Sequence, residues 1–248
     1  MAATHPRFAP DDADGPKVTL VVGWGGVRCA AALGVVRALA DAGIGVERVV
    51  GCSAGAIFAA LTAFGYSIDE SKAVARRLWT RELARRSSAL ELLDKLAARR
   101  LGSRPAEFGL GDPRMLLRGL AAAWGDKRIE AAPLPLHLTA TDLATGELVE
   151  LAAGPLMEGL RASLSLPPAC APQLNAILAN NLLRAKLAFH SAAHHAEMII
   201  IFPEFKHRTG LFDKDRLAYL IDAGEQAALQ QLPYLHHLLS GDRVPAAA

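Results

Sequence analysis

The stretch that decides the fold is residues 17–55, KVTLVVGWGGVRCAAALGVVRALADAGIGVERVVGCSAG. Lys17 to Val22 is a short β-branched run ended by Gly23, which predicts a buried strand. Gly23 to Gly26 reads as a loop. Ala30 to Ala42 repeats apolar residues at helical spacing and stops at Gly43, a residue suited to the left-handed position after a helix. Val46 to Val50 predicts a second strand, broken at Gly51, and Ala56 to Phe64, apolar on nearly every side, predicts a buried helix. Strand, glycine loop, helix, strand, glycine turn, helix is the opening of a parallel α/β sheet.

Around this opening, residues 1–16, Pro- and Asp-rich and without the apolar core expected of a signal peptide, read as a flexible tail. Residues 69–124 keep helical periodicity but turn basic. Between Lys72 and Arg104 ten Lys/Arg face three acids, a local charge of +7 that leaves −5 for the rest of a chain whose net charge is +2. Leu134 to Thr141 and Gly146 to Leu151 read as strands joined by a turn at Thr145-Gly146. Helices are expected over Glu158–Leu164, Leu182–Ala196 and Arg216–Leu239, and Met198 to Phe202 as a buried strand. With 248 residues, the chain suits one α/β domain over 17–239, with a small helical lid at about 69–124 and a second tail at 240–248.

Composition excludes several classes. Hydrophobic residues make up 52% and the mean hydropathy is +0.21, too apolar for a disordered chain. A net charge of +2 and 6% aromatic residues supply neither the positive field nor the stacking surface of a nucleic-acid binder. Cys29, Cys52 and Cys170 form no CxxC pair and no disulfide framework, which fits a reducing compartment. No apolar run reaches the roughly 18–20 residues of a membrane span. The expected location is the cytoplasm, with peripheral contact to an anionic membrane through the basic 72–104 stretch and its leucines.

The chemistry lies in the glycines. Gly51-Cys52-Ser53-Ala54-Gly55 fits G-x-S-x-G, the turn that lifts a nucleophilic serine above a sheet. Such a turn is tight, so Gly51 and Gly55 remove side chains that would strike the strand and the helix. The helix that follows aims its positive end at charge developing on Ser53's target. One βα unit earlier, Gly23-Trp24-Gly25-Gly26-Val27-Arg28 presents backbone N–H groups to an anion. It carries neither a dinucleotide nor a Walker A pattern. Beside a nucleophile elbow, an oxyanion hole made by Gly25, Gly26 and Val27, with Arg28 supporting the loop, is the better reading.

In these motifs the chain resembles the patatin-like phospholipases, bacterial type. Gly25-Gly26-Val27-Arg28 is similar to their G-G-x-R/K loop, and Gly51 to Gly55 to their elbow. Residues 140–147 (ATDLATGE) resemble their A-T-D-L-x-T-G-E hairpin, and Arg161-Ala162-Ser163-Leu164-Ser165-Leu166-Pro167 their R-A-S-x-A/S-L-P segment. The similarity runs over roughly 17–235. It implies a three-layer α/β/α fold with a mainly parallel sheet, and hydrolysis of lipid acyl esters by a Ser–Asp dyad with no histidine, metal or cofactor.

The pattern breaks at the base. Aligned on Asn181-Leu182, Asn175 stands where the family's Asp is expected, with Ala176 and Ile177 in place of glycines. A carboxamide cannot accept the Ser53 proton near neutral pH. Asp222 is the substitute to examine, although Leu220 to Gly224 resembles the start of the family's last helix. Trp24 stands where a glycine usually precedes Gly25-Gly26, and Cys29 replaces another glycine. The adjacent pairs His194-His195 and His236-His237 lack metal-ligand spacing, and His137 alternates with apolar residues on a strand. The expectation is an impaired serine lipid acyl hydrolase. The alternatives are a catalytically silent lipid-binding or regulatory protein on the same fold, and an acyltransferase with a histidine partner.

Overall fold

The computed structural model describes residues 15–23, 25–79, 113–142, 145, 147–164, 198–207, 209–210 and 213–240. Four strands form a mixed sheet in the order β1-β2-β3-β4: β1 (Lys17–Val22), β2 (Gly45–Cys52), β3 (Leu136–Thr141) and β4 (Leu148–Leu151). The first three are parallel and β4 closes antiparallel on β3. The α/β expectation holds, and the two expected strands after Leu134 form the expected hairpin. Asp142 N–H donates to the Glu147 carbonyl (2.9 Å), closing it.

Register sorts the strand residues by face. Leu20, Val49 and Leu136 lie abreast, as do Val22, Gly51, Leu138 and Leu151. These rows meet the helices α1 (Ala31–Asp41), α2 (Ala54–Ala63) and α5 (Leu156–Leu164). Two right-handed crossovers running the same way along a sheet put α1 and α2 on one face. A row of Val21, Val50 and His137 points to the other face, where Val21 is 67% exposed.

The core is densest along α2, whose ten residues are all buried. Phe58 stacks on Trp79 at 5.6 Å, after α3 (Ile68–Leu78). A capping box of Ser67 and Glu70 starts α3. Of the stretch read as a lid, 80–112 lies outside the described residues. Its two ends are α3 and α4 (Pro113–Trp124), and Leu78, Trp79, Leu120 and Trp124 are all buried. Leu78 therefore belongs to the core and not to a lipid-facing stripe.

The last helix, α6 (Leu217–Leu239), lies along α1. The backbones nearly touch: a Cβ on Gly34 would sit 1.8 Å from the Ile221 carbonyl oxygen, and one on Gly224 would sit 2.0 Å from that of Ala31. Beside this contact Arg37 holds Glu225 with two hydrogen bonds and Asp222 with a third.

One expectation is corrected. Met198–Phe202 joins no strand ladder among the described residues; Ile199 and Ile201 pack on the core while Ile200 (50%) and Phe202 (78%) face solvent. The loop expected over Gly23–Gly26 runs into a 3₁₀ turn over Gly26–Ala30, just before α1. The expected helix Leu182–Ala196 lies outside the described residues.

Candidate functional site

Ser53 follows the last residue of β2 and occupies the N-cap position of α2. A serine there normally adopts extended angles and spends its hydroxyl on a backbone N–H of the first helical turn. Ser53 does neither. Its φ is +54° and its ψ −128°, and its side chain makes no capping bond. Among the described residues it is the single non-glycine at positive φ. Such a conformation costs about 1–3 kcal/mol and persists only where the surroundings enforce it.

The enforcement can be named. α2 approaches so closely that a Cβ on Gly55 would lie 2.2 Å from the Gly23 carbonyl oxygen and 2.3 Å from that of Val22. A Cβ on Gly51 would lie 2.5 Å from Ala56 Cα. Ala56 N–H bonds the Ser53 carbonyl (2.9 Å), while Ser53 N–H donates to Ser163 Oγ (2.9 Å) on α5. The half-buried Ser53 hydroxyl is left at the C-terminal edge of the sheet, over a helix N-terminus without an acid in its first turn.

The glycine loop begins at the end of β1, the neighbouring strand. Gly26 has φ +60°, open to glycine at little cost, and starts the 3₁₀ turn. Arg28 N–H closes that turn on the Gly25 carbonyl (3.3 Å), so the N–H groups of Gly25, Gly26 and Val27 precede its first internal bond. Arg28 N–H is thereby engaged within the loop's own turn. Its guanidinium Nε is buried with no hydrogen-bond partner among the described residues. Cys29 fastens the loop from below: its Sγ–H donates to the Gly23 carbonyl (3.2 Å), and burial pushes the thiol up to about 12, so it stays protonated.

The other candidates separate. Asn175 and Trp24 lie outside the described residues, as do His194, His195 and Cys170. Asp222 sits on α6, its side chain 65% exposed and paired with Arg37 at 3.1 Å. His137 is abreast of Val50, three residues before Ser53, about 10 Å down the strand at 3.3 Å per residue. It pairs with Glu150 across the hairpin. Asp142 lies past the end of β3, on the same edge as Ser53, and its carboxylate accepts the Thr145 N–H (3.3 Å). No group of three metal-ligating side chains occurs among the described residues, and none of their helices is long and apolar enough to cross a membrane. An open groove lined by Arg118, Lys127, Arg128, Met157 and Arg161 does not include Ser53.

Sequence reading gave Ser163 no task, although it lies in the quoted Arg161-Ala162-Ser163 segment. Its contact with Ser53 spans 110 positions, which no local pattern reveals.

The family model described as Patatin-like phospholipase matches residues 20–185. An uncharacterized NTE family protein of Mycobacterium tuberculosis is 32% identical over 157 residues, 63% of this chain and 39% of its own. The human patatin-like phospholipase domain-containing protein 6 is 30% identical over 164 residues, 64% of this chain and 11% of its own. The chain thus spans well under half the length of these relatives. Among solved structures, the type III effector protein ExoU aligns with a TM-score of 0.47 at 19% identity, covering 90% of this chain and 56% of that one.

Proposed function

Because the chain belongs to the patatin-like phospholipase family, we propose that it cleaves lipid acyl esters with Ser53 as the nucleophile. One observation carries this reading: a serine at a helix N-cap that is held at positive φ and does not cap. A structural serine would relax to extended angles and bond the helix. This one is kept strained with its hydroxyl unspent, as a nucleophile must be.

In the proposed reaction Ser53 Oγ attacks the ester carbonyl. The carbonyl oxygen gains negative charge, which the N–H groups of Gly25, Gly26 and Val27 and the N-terminus of α2 would stabilise. Arg28 would add positive charge beside the loop. Collapse of the tetrahedral species releases the alcohol and leaves an acyl-serine, which water hydrolyses. Asn175, at the position of the family's Asp, cannot accept the Ser53 proton, which would pass to water and from water to the departing alkoxide. Losing a general base costs about 10²–10⁴-fold, so turnover should be slow. This substitution also favours a second reading, a catalytically silent lipid-binding or regulatory protein on the same fold.

The substrate would be reached at an anionic membrane surface through basic residues of the 72–104 stretch, in the cytoplasm. Turnover of a short-chain nitrophenyl ester by the wild type and by Ser53→Ala decides between the two readings. Hydrolysis that disappears with the hydroxyl supports the enzyme. Equal background rates, with retained lipid-vesicle binding, support the silent protein.

A further inference from the structure

Ser53 N–H falls in a gap of the backbone pairing scheme. The β2 ladder ends at Cys52, abreast of Thr139, and the first bond of α2 runs from Ala56 N–H to the Ser53 carbonyl. Neither strand nor helix offers Ser53 N–H an acceptor. A partly buried N–H without one is costly, so a partner must come from elsewhere. It comes from Ser163, 110 residues on, whose Oγ lies 2.9 Å away and which is 7% exposed.

The delivery of Ser163 is equally specific. Ser163 lies four residues after Gly159, so both are on the face of α5 turned to the sheet. A Cβ on Gly159 would stand 2.9 Å from Ile129 Cδ1 and 3.0 Å from Leu138 Cδ1. The missing side chain lets α5 settle on β3, and one turn later the hydroxyl meets the elbow. The helix is thus set at the height where its serine reaches Ser53.

We propose that Ser163 is the positioning residue of the elbow: by accepting the Ser53 N–H it fixes the peptide that enters Ser53 and holds φ at +54°. It also removes that N–H from the set facing a substrate oxyanion, so the donors are those of the glycine loop and of the first turn of α2. Ser163 touches no reacting atom in this scheme. The consequence for turnover rests on the proposed role of Ser53, whereas the consequence for the backbone does not.

The test compares Ser163→Ala and Ser163→Thr with the wild type in two measurements. Amide hydrogen exchange at Ser53 should rise at least about tenfold in Ser163→Ala, because an unpaired N–H opens locally. Val49, whose N–H bonds the Pro135 carbonyl (2.9 Å), is the control and should keep its protection. Ester turnover should show kcat down about 10–100-fold, as for a nucleophile displaced by a fraction of an ångström, with KM little changed. Ser163→Thr, which keeps the accepting oxygen, should restore the slow exchange and most of kcat. Unchanged exchange at Ser53 in Ser163→Ala overturns the proposal, and so does an increase shared equally by Val49. Should the wild type show no Ser53-dependent turnover, the hydrolase reading fails, while the exchange comparison still decides the role of Ser163.

Discussion

Gly55→Ala adds one methyl group at the tightest point of the elbow. Its Cβ would stand 2.2 Å from the Gly23 carbonyl oxygen, where ordinary contact begins at 3.4 Å, a shortfall of about 1.2 Å. The Val22 carbonyl oxygen, at 2.3 Å, blocks the alternative direction. Both obstacles are backbone, so no side chain can swing aside and α2 must lift from the end of β1. Overpacking of this kind costs about 1–3 kcal/mol, and a backbone clash belongs at the upper end. Alanine regains at most about 1 kcal/mol of helix propensity. The net loss is about 2 kcal/mol, a fall in Tm of about 4–8 °C at 2–4 °C per kcal/mol for a chain of this size. Activity should suffer more, because the lift separates Ser53 from the glycine loop by on the order of 1 Å, and such misplacement costs about 100-fold. Thermal unfolding and ester turnover are measured together, with Gly23→Ala as control, where nothing lies within 4 Å of the added methyl. A Gly55→Ala protein with wild-type Tm and turnover would refute the close approach of α2 to β1.

Four further outcomes are expected. At pH 8 a thiol reagent should label the exposed Cys52 and spare the buried Cys29, as read by peptide mass spectrometry. Burial raises the Cys29 thiol from 9.0 to about 12, so its contribution to stability is complete below about pH 9 and is lost as pH climbs to about 12; Cys29→Ala should flatten this part of the stability profile relative to wild type. Asp222→Asn should leave turnover within about twofold of wild type, since that carboxylate is committed to Arg37 on the exposed side of α6; a loss of about 100-fold, the scale of a missing base, would reinstate it as the proton acceptor. Asn175→Asp should raise turnover at least about tenfold, by restoring a group able to take the Ser53 proton, and no gain in a folded variant would mean that position 175 is not aimed at Ser53.

The opening of the fold was legible because each element was bracketed by glycine. Gly23 closes β1, Gly43 at φ +71° closes the first helix, and Gly51 and Gly55 flank the elbow. The hairpin was legible from its alternation and from Thr145-Gly146. Met198–Phe202 misled because an apolar run states burial and not pairing: alternate residues pack on the core, yet no strand among the described residues completes a ladder with it. Within the site, motif spacing pointed to Ser53 and the glycine loop. It could not reveal that Arg28 N–H is consumed by its own turn, that the Cys29 thiol pins Gly23, or that Ser163 reaches Ser53 from a distant helix. Those contacts depend on where α5 and the 3₁₀ turn come to rest, which packing across the whole sheet determines.

The central claim is that Ser53 is a strained, uncommitted nucleophile. A fluorophosphonate ester tests it directly, because phosphonylation of a serine requires the attacking hydroxyl and its oxyanion donors and needs no later deacylation. The intact protein is incubated with the probe, and the modified peptide is located by mass spectrometry. The account predicts one adduct, on Ser53, that is absent from Ser53→Ala and slower to form in Gly55→Ala. No adduct at Ser53, or equal labelling of wild type and Ser53→Ala, would contradict it.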